Sequence, residues 1–288
     1  MSERTSADAA PLPPPDLAEQ VAAALREDIG TGYVTARLVP ERQRVRGGVI
    51  TREAAVLCGR PWAEACFRQL DPGIALTWHA HDGERLAAGQ AVFEIEGPAR
   101  PILTGERTAL NFLQLLSATA TQASRFVEAI RGTDCAILDT RKTLPGLRRA
   151  QKYAVRCGGA RNHRMGLHDM VLIKENHIAA AGSIAQAVAA ARAAAPTVKV
   201  EVEVESLAEL EEALAAADIV MLDEFGLQDM AAAVALNRSR GRPVLLEASG
   251  SVSLENVRAV AETGVDFVSV GAITKHVRAI DLSMRLQF

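Results

Sequence analysis

The sequence predicts an α/β protein whose second half folds as a parallel, barrel-like sheet behind a smaller α/β module. Three observations predict it. From Ala136 onward, six short apolar segments alternate with Ala-rich stretches of helical spacing, the pattern of parallel strands joined by crossover helices. Several of those helices open on a cap: Ser206 with Glu209 reads as an S-x-x-E capping box, and Ser183 with Gln186 as its Gln version. No dinucleotide glycine fingerprint follows the first strand of the repeat, which ranks a doubly wound open sheet second to the barrel.

Taken in order, Met1 to Pro15 is polar and Pro-rich without an apolar run, so residues 1–15 read as a disordered leader and not as a signal peptide. The first module spans residues 16–116. Asp16–Asp28 reads as a helix, with Leu17, Val21, Ala24 and Leu25 at helical spacing. Val49–Leu57, Ala75–His79 and Ala91–Glu96 read as strands between Gly, Pro and Asp turn signals. A long helix follows from about Leu103, because Leu110, Leu113, Leu116 and Ala120 recur every three or four residues.

The second domain spans residues 117–288, with final residues able to pack back on the first. Its strands are Ala136–Asp139, Met170–Lys174, Val198–Val204, Ile219–Asp223, Val244–Glu247 and Phe267–Val270. Its helices are Ser183–Ala195, Ser206–Ala217, Leu227–Asn237 and Ser253–Thr263.

Composition narrows the function classes. The 288 residues are 49% hydrophobic and 23% charged with a net charge of −3, so no global charge draws the chain to nucleic acid or an anionic membrane. No apolar run reaches the ~20 residues of a membrane span. Cys58, Cys66, Cys135 and Cys157 show no C-x-x-C spacing. Cys58 and Cys135 flank apolar runs and read as core residues, against a disulfide framework or a zinc site. A cytoplasmic enzyme fits best.

In such barrels catalytic groups come from the C-terminal strand ends. Those ends carry Asp139-Thr140-Arg141-Lys142, Lys174-Glu175-Asn176-His177, Asp223-Glu224, Glu247-Ala248-Ser249-Gly250 and Val270-Gly271-Ala272. Polar loops are common in any α/β protein, but the charge here is uneven. Thr140–His177 holds nine Lys or Arg against two acids, a local excess of +7. Arg148, Arg149 and Lys152 read as an exposed helical face. Arg141, Lys142, Arg164 and Lys174 flank strands or Gly turns, where side chains can converge on an anion; Arg forks suit carboxylates and Lys suits phosphates.

On the third strand Val200, Val202 and Val204 alternate with Glu201, Glu203 and Glu205, so the three carboxylates share one face. Either that face points to the barrel axis, with the neighbouring lysines as partners, or the strand is an edge with a wet acidic face. Carboxylates among cations can bind the Mg²⁺ and hydroxyls of a diphosphate sugar. Ser249-Gly250-Ser251 and Gly271-Ala272 are small enough to let backbone N–H groups approach a phosphate.

These segments resemble one family closely. Thr140 through Gly146, Lys152-Tyr153-Ala154-Val155, Gly158 through Leu167, Leu172 through Ile178, and Glu262 through Lys275 are similar to quinolinate phosphoribosyltransferase (nicotinate-nucleotide pyrophosphorylase, carboxylating), and the likeness runs from about Leu17 to Phe288. The resemblance implies an irregular, open α/β barrel (TIM-like) with an N-terminal α/β sandwich domain. It implies that quinolinate and phosphoribosyl pyrophosphate yield nicotinate mononucleotide, pyrophosphate and CO₂ in NAD biosynthesis, with Mg²⁺ and no organic cofactor.

Residue by residue, the resemblance assigns quinolinate's carboxylates to Arg107, Arg141, His163, Arg164 and Lys174. It assigns the donor to Thr140, Lys142, Glu203, Asp223, Ser249, Gly250, Ser251, Val270, Gly271 and Ala272. Lys142, Lys174, Glu203 and Asp223 are the expected catalytic set, and Glu203 and Asp223 would hold Mg²⁺ indirectly. A homodimer is implied, with Arg107 reaching the partner's site, and assembly above the dimer stays open. Arg107 follows Thr104-Gly105-Glu106 near the expected helix start, where the macrodipole disfavours a cation; an ordinary surface residue compensated by Glu106 is the alternative. The sequence departs from the family at Tyr33, Leu144, Ala160 and Ser251, none of which removes a charged ligand.

Three rivals remain at this point. One is a sister protein of molybdate transport with the same architecture, although the His163-Arg164 and Lys174–His177 contexts look like the enzyme. The second is a Schiff-base aldolase on Lys142 or Lys174. The third is a non-catalytic dicarboxylate-binding module.

Overall fold

The computed structural model describes residues 11–241 and 243–288. The expected leader falls mostly on residues 1–10, outside the described residues. Along the chain run α1 (Leu17–Ile29), a 3₁₀ turn (Thr35–Leu38), β1 (Arg44–Thr51), β2 (Ala55–Val56), α2 (Arg60–Leu70), β3 (Ala75–Trp78), β4 (Arg85–Leu86), β5 (Ala91–Pro98), α3 (Ala99–Ala129), β6 (Ala136–Leu138), α4 (Arg148–Cys157), β7 (Val171–Ile173) and α5 (Glu175–Ala181). There follow α6 (Ile184–Ala194), β8 (Val200–Val204), α7 (Leu207–Ala213), β9 (Ile219–Asp223), α8 (Leu227–Arg238), β10 (Leu245–Ser249), α9 (Val257–Glu262), β11 (Phe267–Ser269), α10 (Ala272–Lys275) and β12 (Leu282–Gln287).

Two units form. The first comprises residues up to Ser124, Thr143–Gly159 and His276–Phe288; the second comprises Arg125–Lys142 and Ala160–Lys275. In the first, an antiparallel sheet has the order β12-β1-β5-β3, and β2 pairs with β4. Trp62, Phe67, Phe93, Leu110, Leu113 and Leu116 are fully buried in its core, and Trp62 meets Tyr153 edge-on with ring centroids 5.2 Å apart. Cys58 and Cys66 are buried, whereas Cys135, in the second unit, is half-buried.

Several expectations change here. The single strand over Val49–Leu57 is two: β1 pairs with β5 and β12, then turns at Arg52–Ala54 so that β2 can pair with β4. Thr51, Arg52 and Glu53 interrupt the apolar run at this turn, a break the single-strand reading passed over. Helix α2 and strand β12 had no counterpart in the sequence reading; Pro61 in the first turn is the start signal of α2. The long helix begins at Ala99, which puts Arg107 in its third turn. The macrodipole acts within the first turn, so it does not bear on Arg107. Lys152 is fully buried, as are Gln151 and Tyr153 beside it, so α4 does not present it on an exposed face. Charge alone does not reveal that a helix is covered on more than one side.

The second unit holds six parallel strands in the order β6-β11-β10-β9-β8-β7. Each strand after the first neighbours its successor in sequence, and among the described residues β6 and β7 are not paired. That is the strand order of a barrel left open between its first two strands. On the free edge of β6, Arg161 forms a parallel bridge with Leu138. Helices α6 and α7 pack on β8, and α9 packs on β11. Val200, Val202 and Val204 are fully buried, each burial contributing roughly 1.5–3 kcal/mol. The capping serines act as expected: Ser183 Oγ accepts from Gln186 N, and Ser206 Oγ from Glu209 N. Glu209 reaches back one residue further than a capping box requires and accepts from Glu205 N at 2.8 Å.

Candidate active site

The strand register sets the geometry of the site. Ile173 pairs with Val202, so Lys174, the first residue past β7, stands level with Glu203. Glu203 is in register with Met221, and Met221 with Glu247. Two residues nearer the strand ends, Asp223 pairs with Ser249. Alternate strand residues share a face. Glu201, Glu203, Asp223 and Glu247 therefore lie on the sheet face opposite the three valines. Strand β8 sits between β7 and β9 and is not an edge; Glu201 and Glu203 are buried and only Glu205 is exposed.

The buried carboxylates of β8 and β10 lie within ion-pair distance of a lysine or an imidazole. Lys174 Nζ donates to the Glu203 carboxylate. Glu201 does not take a lysine, as the sequence suggested, but His163: its Oε2 lies 2.9 Å from His163 Nε2, with Glu247 Oε2 at 3.4 Å from the same atom. Burial lowers the His163 pKa, whereas the neighbouring Glu201 and Glu247 carboxylates raise it. Burial and the charge of Glu247 push Glu201 up to about 7 against the pull of His163.

The loop that delivers His163 and Arg164 is anchored to β6. Asp139, fully buried, accepts from Asn162 Nδ2 at 2.7 Å and from His163 N at 2.9 Å. Arg164 N donates to His163 Nδ1 at 2.7 Å, and Arg164 Nη1 to Met170 O at 3.3 Å. Burial lowers the Arg164 pKa, and the nearby positive charge of Arg141 lowers it further. Two guanidiniums held close enough to repel each other suit a ligand with more than one negative group.

On the β6 and β11 side, Thr140 Oγ1 accepts from Lys142 N at 3.0 Å, and Thr274 Oγ1 donates to Lys142 O at 2.8 Å. The Lys142 side chain lies against Gly271, where a Cβ would come within 2.9 Å of its Cδ. Gly271 therefore makes room for the lysine. Val270 is buried, with Ala272 opening α10. Past β10, Gly250 has φ +105 and a Cβ there would fall 2.5 Å from the Glu224 carboxyl carbon. Glu224 itself has φ 52, and its Oε1 accepts from Ser251 N and Oγ at 3.2 Å each.

All the expected site residues except Arg107 thus belong to the second unit; Arg107 is exposed on α3 in the first. The sequence reading gave no individual role to Asp139, Glu201, Glu224 or Glu247. A lone acid in an apolar strand, as Glu247 is between Leu246 and Ala248, was the available signal. A cavity of about 230 Å³ beside this network is lined by Leu138, Arg161, His163, Arg164, Met170 and Glu247 among others. That cavity reaches Lys199 and Leu245 at the strand starts, which also line a larger one of about 850 Å³ around Arg192 and Asp218.

Comparison with known proteins shows the family of the chain. The family model described as quinolinate phosphoribosyl transferase, C-terminal domain, matches residues 119–285, and the corresponding N-terminal domain matches residues 32–117. The chain is 43% identical to the nicotinate-nucleotide pyrophosphorylase (carboxylating) of Mycobacterium leprae, over 91% of this chain and 94% of that protein. It is 40% identical to a probable enzyme of the same name from Bacillus subtilis, over 90% and 89%. Among solved structures, nicotinate-nucleotide pyrophosphorylase from Francisella tularensis superposes with a TM-score of 0.92 at 49% identity, covering 96% of this chain and 98% of that one. The protein of that name from Ehrlichia chaffeensis gives 0.88 at 34% identity, covering 93% and 98%.

Proposed function

The chain belongs to the quinolinate phosphoribosyltransferase family, and on that premise we propose how its residues divide the work of the reaction. The reaction joins quinolinate to phosphoribosyl pyrophosphate and yields nicotinate mononucleotide, pyrophosphate and CO₂, a step toward NAD.

The observation that carries the assignment is that Arg141, just past β6, and Arg164, on the loop that bridges back to β6 through Arg161 and Leu138, come from the same edge of the sheet. Quinolinate bears two carboxylates, and two guanidinium forks match them. His163 and Lys174 stand on the same side, and Arg107 of a second copy completes the pocket. The donor takes the other side: Thr140, Lys142, Val270, Gly271 and Ala272 from one pair of strand ends, Ser249, Gly250 and Ser251 from the next. Lys142 and Lys174 lie where both ligands meet.

The pyridine nitrogen attacks the anomeric carbon as pyrophosphate leaves. Positive charge develops on the ribose, and the Glu203 and Asp223 carboxylates stabilise it electrostatically. The ring nitrogen of the product of that step is quaternary and positive. Its charge stabilises the carbanion left when the adjacent carboxylate departs as CO₂, and a proton from solvent then forms the C–H bond of the product. The chain's role in this second step is to hold the pyridine in place while Arg141 and Arg164 keep the remaining carboxylate.

Glu203 and Asp223 fit a Mg²⁺ held mainly through the donor: both are hard oxygen ligands on one face, and Lys174 already engages Glu203. One or two carboxylates plus substrate phosphates is the habit of that ion. When bound, it neutralises the pyrophosphate leaving group. No organic cofactor is required. All four cysteines are free thiols, which supports a cytoplasmic setting. Among the described residues no helix is long and apolar enough to cross a membrane.

Quinolinate labelled in the carboxylate adjacent to the ring nitrogen tests the reading. Labelled CO₂ is expected only when phosphoribosyl pyrophosphate is present; release without the donor, or none with it, overturns the assignment. Glu203→Gln is expected to slow the donor-dependent step by roughly tenfold or more, the scale of a charge-assisted contact, with quinolinate binding less affected. A titration showing the larger defect for quinolinate would reject that role.

A further inference from the structure

We propose that Glu201 and Glu247 are positioning residues of the quinolinate site, acting through His163 on Arg164; this rests on the reading of Arg164 as a carboxylate ligand given above. Both are carboxylates in otherwise apolar strands. Their side chains are 0% and 1% exposed, and a carboxylate without a partner in such a place is costly. What they share is one atom, His163 Nε2, at 2.9 and 3.4 Å.

The other ring nitrogen is also engaged. His163 Nδ1 accepts the backbone N–H of Arg164 at 2.7 Å, and Nε2 is the nitrogen that faces the two carboxylates. With its ring 7% exposed, His163 holds its neighbours in place. It fixes the backbone at Arg164 from one side, while Asp139 holds His163 N and the Asn162 side chain from the other.

The consequence is directional. The guanidinium of Arg164 reaches Met170 O with one nitrogen, and the fork has five N–H donors. A fork binds a carboxylate in two parallel bonds when its plane is suitably oriented, and a clamped backbone at its root together with Met170 O on one nitrogen narrows the planes it can take. Remove the negative pair beneath the ring and His163 loses what orients it; Arg164 N then loses its acceptor. Glu201 and Glu247 reach no substrate in this scheme. Their effect is expected to fall on quinolinate more than on the phosphoribosyl donor, even though Glu203 and Ser249, two residues further along the same strands, belong to the donor side.

The test measures quinolinate binding by calorimetry without donor, and steady-state kinetics for both substrates. Glu247→Gln keeps the shape and removes the charge. It is expected to weaken quinolinate about tenfold, the scale of one charge-assisted bond, and to leave the donor KM within about twofold. Combined with Arg164→Ala, it is expected to add nothing to the loss that Arg164→Ala causes alone, because the two act in series. His163→Asn, whose side-chain oxygen falls near the place of Nδ1, is expected to recover part of what His163→Leu loses.

Wild-type quinolinate affinity in Glu247→Gln, or losses that add to those of Arg164→Ala, overturns the proposal. Should Glu247→Gln fail to fold, Glu201→Gln is read by the same criteria, and the comparison of His163→Asn with His163→Leu decides alone if neither folds: equal loss in both rejects the clamp. If Arg164→Ala itself binds quinolinate normally, the role given to Arg164 fails instead.

Discussion

Lys174→Ala is expected to lower kcat/KM by at least about tenfold, and up to roughly 150-fold, the range set by a charge-assisted contact of ~1.5–3 kcal/mol. Lys174 ends β7 and caps α5, where its backbone N–H donates to His177 Nδ1 at 2.9 Å. Its ammonium holds the Glu203 carboxylate, which is only 9% exposed. Truncation therefore does two things at once. It removes a cation from the meeting point of two anionic substrates, and it leaves a carboxylate there that repels them. The lysine side chain is 43% exposed, so solvent screens the pair and little stability depends on it. The melting temperature of Lys174→Ala is accordingly expected to stay close to that of the unchanged chain while its activity falls. Lys174→Arg keeps the charge but replaces a point donor by a planar fork, and an intermediate rate is expected. Near-wild-type kinetics in Lys174→Ala would remove this residue from the site.

Two inactive variants are expected to restore activity when mixed. Arg107→Ala and Lys142→Ala each disable a site, and in the proposed homodimer the first lesion falls in the partner's site while the second falls in its own. A heterodimer then has one site with both lesions and one with neither. With free exchange of subunits between equal amounts, half of the dimers are mixed, so about a quarter of wild-type activity is expected. The exposed position of Arg107, in the third turn of α3 and apart in sequence from every other site residue, motivates the experiment. If Arg107 serves its own chain, every site keeps a lesion. Persistent inactivity, with exchange verified by mass spectrometry, rejects the shared site.

Much of this was legible before any coordinates. The alternation of Val200, Val202 and Val204 with three glutamates determines which side of β8 faces helices, because side chains on a strand alternate strictly. The apolar runs and Ala-rich repeats determine a parallel α/β sheet, because only crossover helices of that length can join parallel neighbours. The basic excess from Thr140 to His177 marks the stretch where an anion site is to be sought. These properties belong to short stretches of chain, whose spacing and charge are visible in order along the sequence.

Partnerships were decided only by the tertiary structure. The sequence offered lysines to all three glutamates, yet Glu201 pairs with His163, since the loop after α4 is pinned by Asp139 and brings the imidazole over β8 and β10. Lys152 looked exposed and is buried, since burial depends on what covers a helix from other parts of the chain. Strand β12 returns from the C-terminus to pair with β1, and the Val49–Leu57 run breaks to change neighbours. Hydrogen bonds and charges act over a few ångströms of space, whatever the distance along the chain. Which carboxylate meets which cation is therefore a property of the strand order and register, and local sequence carries neither.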